Sequence, residues 1–111
     1  MYANIDDFVE DLNKLKKEYL PNSELETVYK RTDKVSIRIT ISSSIFIDVY
    51  ANIENNRYDL SLIKDNQRVF GYDNLESWHY HPLNKQDDHI EIDEPSFNKI
   101  FNELTNLIHI L

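Results

Sequence analysis

The spacing of apolar residues changes twice along this chain, and those changes restrict the folds open to it. Over residues 4–20, Ile5, Phe8, Leu12, Leu15 and Tyr19 recur at steps of three and four, which predicts a helix with one apolar stripe. Asp6 and Asp7 in its first turn and Lys14, Lys16 and Lys17 toward its end suit the helix dipole. Pro21-Asn22 stops it.

The period then becomes two. Val35, Ile37, Ile39 and Ile41 alternate with Ser36, Arg38 and Thr40, the pattern of a half-buried strand. Ile45, Ile47, Val49, Ala51 and Ile53 alternate with Phe46, Asp48, Tyr50 and Asn52 in a second. Tyr58, Leu60 and Leu62 mark a third, Val69-Phe70 a fourth, and residues 24–31 an earlier one. The connections Thr32-Asp33, Glu54-Asn55-Asn56 and Asp65-Asn66 are short and polar. Asn and Asp tolerate positive φ, so tight hairpins form there without glycine. Parallel strands need long crossovers, so short connections imply an antiparallel meander.

The helical period returns at the C-terminal end. Asp93-Glu94-Pro95 reads as a helix start, an acidic cap with Pro in the first turn. Phe97, Ile100, Phe101, Leu104, Leu107, Ile108 and Leu111 line one side of the helix that follows. His89 to Ile92 reads as one more short strand. The expected fold is α+β: a meander sheet of about five or six strands, with N-terminal and C-terminal helices packed on one face. The opposite face then carries Arg38, Phe46, Asp48, Tyr50 and Arg57, read either as an ordinary solvated face or as a binding or dimer surface.

At 111 residues the chain forms one domain, residues 1–111. It holds no cysteine, which excludes disulfides, thiolate metal sites and a Cys nucleophile and makes the reducing cytoplasm the expected compartment. The first 20 residues read as a charged amphipathic helix rather than a leader, and no apolar run is long enough for a bilayer. The net charge of −8 is uneven: residues 72–111 carry 2 Lys/Arg against 8 Asp/Glu. A general polyanion-binding protein has the opposite sign, so contact with nucleic acid must be local, and an acidic surface suits a basic partner.

Chemistry concentrates between Gly71 and His89. That segment holds the sole Gly, the sole Trp and three of the four His. In His79-Tyr80-His81, residues two apart on an extended backbone point the same way, so both imidazoles can meet one ligand. His89 follows Asp87 and Asp88. Two imidazoles beside a phosphate serve as acid and base without a metal. The same rings, with a carboxylate from Asp73, Asp87 or Asp88, also suit zinc, nickel or iron. Gly71 suggests a bulge or a close backbone approach. Asp73 and Asn74 build a turn, or Asp73 orients a histidine. Trp78 with Tyr72 and Tyr80 reads as core, lid or the aromatic rim of a pocket. His109 is left to its helix.

The residues Arg57-Tyr58, Tyr72-Asp73-Asn74, His79, His81-Pro82 and His89 resemble the TumE family, small proteins regarded as toxins of type II toxin–antitoxin pairs. The resemblance spans about residues 45–95. The family pattern places its His closer behind the Asp-Asn and has a further His-rich segment, whereas here Leu75-Glu76-Ser77-Trp78 intervenes and only His89 follows. The resemblance implies an intracellular toxin that acts on RNA or another translation component and is silenced by an antitoxin protein. By analogy, His79, His81 and Asp73 would be catalytic in a metal-independent, ribonuclease-like reaction needing no cofactor. Arg57, Tyr58, Tyr72, Asn74, Trp78 and His89 would bind. The alternative is a non-catalytic interaction module, a homodimer or a binder of a basic partner.

Overall fold

The computed structural model describes residues 2–111; Met1 lies outside the described residues. Helix α1 (Ile5–Tyr19) is followed by strands β1 (Glu24–Lys30), β2 (Lys34–Thr40), β3 (Ile45–Asn52), β4 (Arg57–Lys64), β5 (Gln67–Asp73), β6 (His79–His81) and β7 (Ile90–Glu91), and by helix α2 (Phe97–Ile110). The strands form one antiparallel sheet in sequence order, β1 to β7. The expected meander is therefore present with seven strands rather than five or six. The extra member is β6, where the His-x-His pair adds to the edge of β5.

The Asn/Asp turns act as read, and α1 has a cap that the sequence reading did not name. Asn4 caps α1 by accepting from the Asp7 amide at 2.8 Å. The β4–β5 hairpin turns at Asp65 and Asn66, both at positive φ (51° and 64°), and Asn56 at 52° serves the β3–β4 turn. At α2 the start is shifted. Ser96, not the acidic pair, caps the helix by accepting from the Lys99 amide, and Pro95 lies just outside it. A serine oxygen reaches the first-turn amides as well as a carboxylate does, so the cap went to the residue nearest the apolar stripe.

Alternation sorts the sheet into two faces. Val35, Ile37 and Ile39, then Ile47, Val49 and Ala51, then Tyr58, Leu60 and Leu62, then Phe70 and Tyr72, belong to one buried cluster with both helices. Helix α1 contributes Ile5, Phe8, Leu12 and Leu15, and α2 contributes Phe97, Ile100, Phe101 and Leu104. The Tyr58 ring joins them, 5.6 Å from Phe8 and 5.5 Å from Phe97 between centroids. The other face carries Arg38, Asp48 and Phe46 as expected. Arg38 pairs with Asp48 at 2.9 Å and lies over the Phe46 ring at 3.8 Å. No helix among the described residues is long and apolar enough to cross a membrane.

The two faces carry different energetic weight. Phe101 is fully buried, so Phe101→Ala is expected to cost about 3–5 kcal/mol. Arg38→Ala removes a half-exposed ion pair and a surface cation–π contact and is expected to cost about 1–2 kcal/mol. Urea unfolding followed by circular dichroism measures both, and equal losses would contradict this division of the sheet.

Candidate functional site

The same alternation places the chemistry. On β5, Phe70 and Tyr72 point to the helices, so Gly71 and Asp73 lie on the opposite face. Strand β6 pairs with β5 so that His81 sits across from Gly71, Tyr80 from Tyr72 and His79 from Asp73. Tyr80 therefore joins the aromatic side, and both histidines stand over the open face beside Asp73. His89, in the exposed connection before β7, folds back onto them. Its ring centroid is 4.9 Å from that of His79 and 4.4 Å from that of His81.

Asp73 is the hub. One carboxylate oxygen lies 3.1 Å from Nε2 of His79 and the other 3.1 Å from Nε2 of His81. The Leu75 amide donates to Oδ1 at 3.0 Å. Each ring's second nitrogen is also engaged: Nδ1 of His79 meets the Ser77 carbonyl at 3.0 Å, and Nδ1 of His81 meets the Gln86 carbonyl at 2.9 Å. A carbonyl only accepts, so both Nδ1 atoms carry hydrogen. Asp73, His79 and His81 are all buried. Burial by itself pushes the Asp73 carboxyl pKa up. The Leu75 amide, the hydrogen bond from His81 and the charges of His79 and His81 outweigh it and hold the group below its ordinary value. The surroundings of Asp73 therefore favour its carboxylate form.

Around this hub is a cleft of about 560 Å³, lined also by Arg57, Asp59, Arg68, Glu76 and Glu91. Arg68 lies along its own strand, with Nη2 3.7 Å from Asp73 Oδ2. Gly71 makes this possible. A Cβ there would stand 2.5 Å from Arg68 Nη2 and 2.8 Å from Nε, so any larger residue evicts the guanidinium. Arg68 Nε and Nη2 and Arg57 Nε are buried without a hydrogen-bond partner. Guanidinium N–H groups withdrawn from water without an acceptor are costly, and both arginines are among the residues that line the cleft.

The structure thus brings together Asp73, His79, His81, His89 and Arg57. It separates them from Tyr58, Tyr72 and Trp78, expected to bind, whose rings lie on the helix side of the sheet. Parity is the reason: each is an odd number of residues from a cleft-facing neighbour. Trp78 stacks on Tyr58 with centroids 6.3 Å apart. Asn74 is a clamp, accepting from the Tyr58 amide at 2.8 Å and donating to the Asn56 carbonyl at 2.6 Å. Asp87 and Asp88 remain exposed outside the cleft, so Asp73 is the carboxylate that meets the rings. Sequence reasoning missed Arg68 and Asp59. The lone glycine was the available signal for Arg68, a close approach whose partner only the fold identifies.

Compared with family models, curated proteins and solved structures, the chain matches none.

Two outcomes test this geometry. Gly71→Ala is expected to leave stability unchanged or raise it by about 0.5 kcal/mol, since glycine is a poor strand residue, while anion binding in the cleft weakens. A large drop in melting temperature would mean that backbone space, not Arg68, requires the glycine. For Asp73, a folded-state pKa below the unfolded value means a stabilising contribution that is complete above about pH 4 and lost as pH falls through the folded value. Asp73→Asn is therefore expected to unfold with a shallower acid dependence than wild type in urea titrations between pH 2 and 6. Parallel pH profiles would refute the assigned shift.

Proposed function

We propose that this protein is a toxin-like enzyme acting on phosphodiesters, with RNA as its substrate class. The observation that carries the reading is the placement of two guanidiniums with unsatisfied, buried N–H groups, Arg57 and Arg68, in one cleft with three imidazoles and an ionised carboxylate. Planar guanidiniums recognise phosphate through paired hydrogen bonds, and imidazole is the side chain suited to proton transfer near neutral pH. In this reading Arg57 and Arg68 seat the phosphate, and the Asp73–His79–His81 group activates the attacking hydroxyl. Metal-free proton exchange requires the substrate to displace Asp73 from an imidazole, because both nitrogens of each ring are already engaged. The resemblance of Arg57-Tyr58, Asp73-Asn74 and His81-Pro82 to the TumE family supports the toxin context. An antitoxin with a basic segment suits the net charge of −8.

The test is growth of bacteria on induction, followed by RNA cleavage with purified protein. Wild type is expected to arrest growth, and His79→Ala/His81→Ala to relieve the arrest. Arg68→Ala is expected to lower the cleavage rate by about 10²-fold, the usual scale for losing one preorganised donor to a developing charge. Soluble wild-type protein that neither slows growth nor cuts RNA would sink the proposal.

A second reading, the non-catalytic homodimer, has one observation in its favour. Strand β1 is one of the sheet's two edges, and Val28 and Tyr29, at its bulge, are 60% and 40% exposed. An unpaired edge strand is a template for pairing with a second copy, and the bulge confines that pairing to part of β1. Light scattering that gives twice the 13.3 kDa chain mass would support it; a monomer at high concentration would exclude it.

A further inference from the structure

The geometry points to a binding site for one divalent transition-metal ion of the zinc class, held by His79, His81, His89 and Asp73. This rests on the phosphodiesterase reading and changes its chemistry: with the ion bound, His79, His81 and Asp73 would be ligands, and the ion rather than an imidazole would activate the attacking hydroxyl.

Both Nδ1 atoms donate to backbone carbonyls, so in a neutral ring Nε2 carries a lone pair. Each of those lone pairs faces an oxygen of the ionised Asp73 at 3.1 Å. Acceptor against acceptor, twice in one buried site, requires positive charge between them. Either each ring takes a second proton or a cation sits among them. The protonated pair leaves His89 unexplained, and its ring presses against both others. A metal ion uses it: one ligand atom from each of the three imidazoles falls within 4.8 Å of the others.

The nitrogen–oxygen pairs already have coordination spacing, whereas the three imidazole atoms, spread over as much as 4.8 Å, must close on the ion. Ligand atoms at zinc-type bond lengths are about 2.9 Å apart at right angles and about 3.4 Å apart at tetrahedral angles. The nitrogen–oxygen separations of 3.1 Å lie between these values. Exposed His89 is the ligand that must move to close the set. The pinning of Nδ1 by a carbonyl is the outer-sphere arrangement that fixes the tautomer and direction of a ligating histidine. Imidazole and carboxylate donors without thiolate suit zinc, nickel or iron.

Charge gives an independent reason. With neutral imidazoles the cleft lining carries four carboxylates (Asp59, Asp73, Glu76, Glu91) against two guanidiniums. Asp59 and Asp73 are direct cross-strand partners, and like charges at such positions destabilise a sheet. A divalent ion offsets this excess and leaves the guanidiniums free for a phosphate.

The test is titration of the purified, metal-stripped full chain with Zn²⁺ by calorimetry, and with Co²⁺ by visible absorption. Expected are one equivalent bound at micromolar affinity or tighter, and a cobalt band of tetrahedral or five-coordinate type. His81→Ala is expected to abolish binding. His89→Ala changes an exposed side chain that the fold does not need, and is expected to weaken binding by at least tenfold. Failure of folded wild type to bind either ion, or His89→Ala and His81→Ala proteins that bind as wild type does, would overturn the site. Nitrogen-15 shifts that show both rings doubly protonated in the presence of Zn²⁺ would overturn it too. Metal binding without RNA cleavage would keep this site and reject the phosphodiesterase reading; His-dependent cleavage by a protein that binds no metal would do the reverse.

Discussion

The carboxylate of Asp73 is the interaction on which the site depends. It is buried at the end of β5, receives the Leu75 amide, and reaches one imidazole with each oxygen. Strand β6 has three residues, and two of them, His79 and His81, are the partners of this carboxylate. So short a strand gains little from its ladder alone. The Asp73 contacts and the two carbonyls that hold Nδ1 tie β6 and its flanking loops to the sheet. The group that organises the chemistry is therefore also a structural staple of the sheet's far end.

The division of labour between the two sheet faces follows from the same backbone alternation. Tyr58, Tyr72 and Tyr80 go to the aromatic and helix side, while Arg57, Asp73, His79 and His81 go to the cleft. A one-residue slip between β5 and β6 would send the imidazoles into the core. Aromatic contacts guard against that slip: Tyr72 and Tyr80 lie 6.0 Å apart and Phe70 and Tyr80 6.1 Å apart, a hydrophobic register lock directly behind the polar group. Core packing on one side thus supports the precision of the site on the other, as a preorganised polar site requires.

Gly71 shows how a single small residue couples the two. It has an ordinary strand conformation, so its role is spatial rather than conformational. The guanidinium of Arg68 occupies the volume that a side chain would take, and this brings its charge to the edge of the Asp73 carboxylate. The cleft is consequently mixed in sign at short range, although the whole chain is acidic. Net charge describes long-range steering, and the local arrangement decides what the cleft itself can bind.

Much of the scaffold was legible because its signals are local. The 3.6 and 2.0 periods of Ile5 to Tyr19, Val35 to Ile53 and Phe97 to Leu111, together with Asn/Asp turns, determine helices, strands and an antiparallel meander without reference to the rest of the chain. The His-x-His spacing likewise determines that His79 and His81 share a side. Other features have no local signature. Which carboxylate among Asp73, Asp87 and Asp88 meets the rings, the return of His89 and the passage of Arg68 over Gly71 all depend on strand register and loop path. Those are settled by packing between segments distant in sequence. The sequence alone determined the elements, their order and the supply of imidazole and carboxylate groups; the tertiary structure decided which of those groups meet, because only the pairing of β4, β5 and β6 sets their distances.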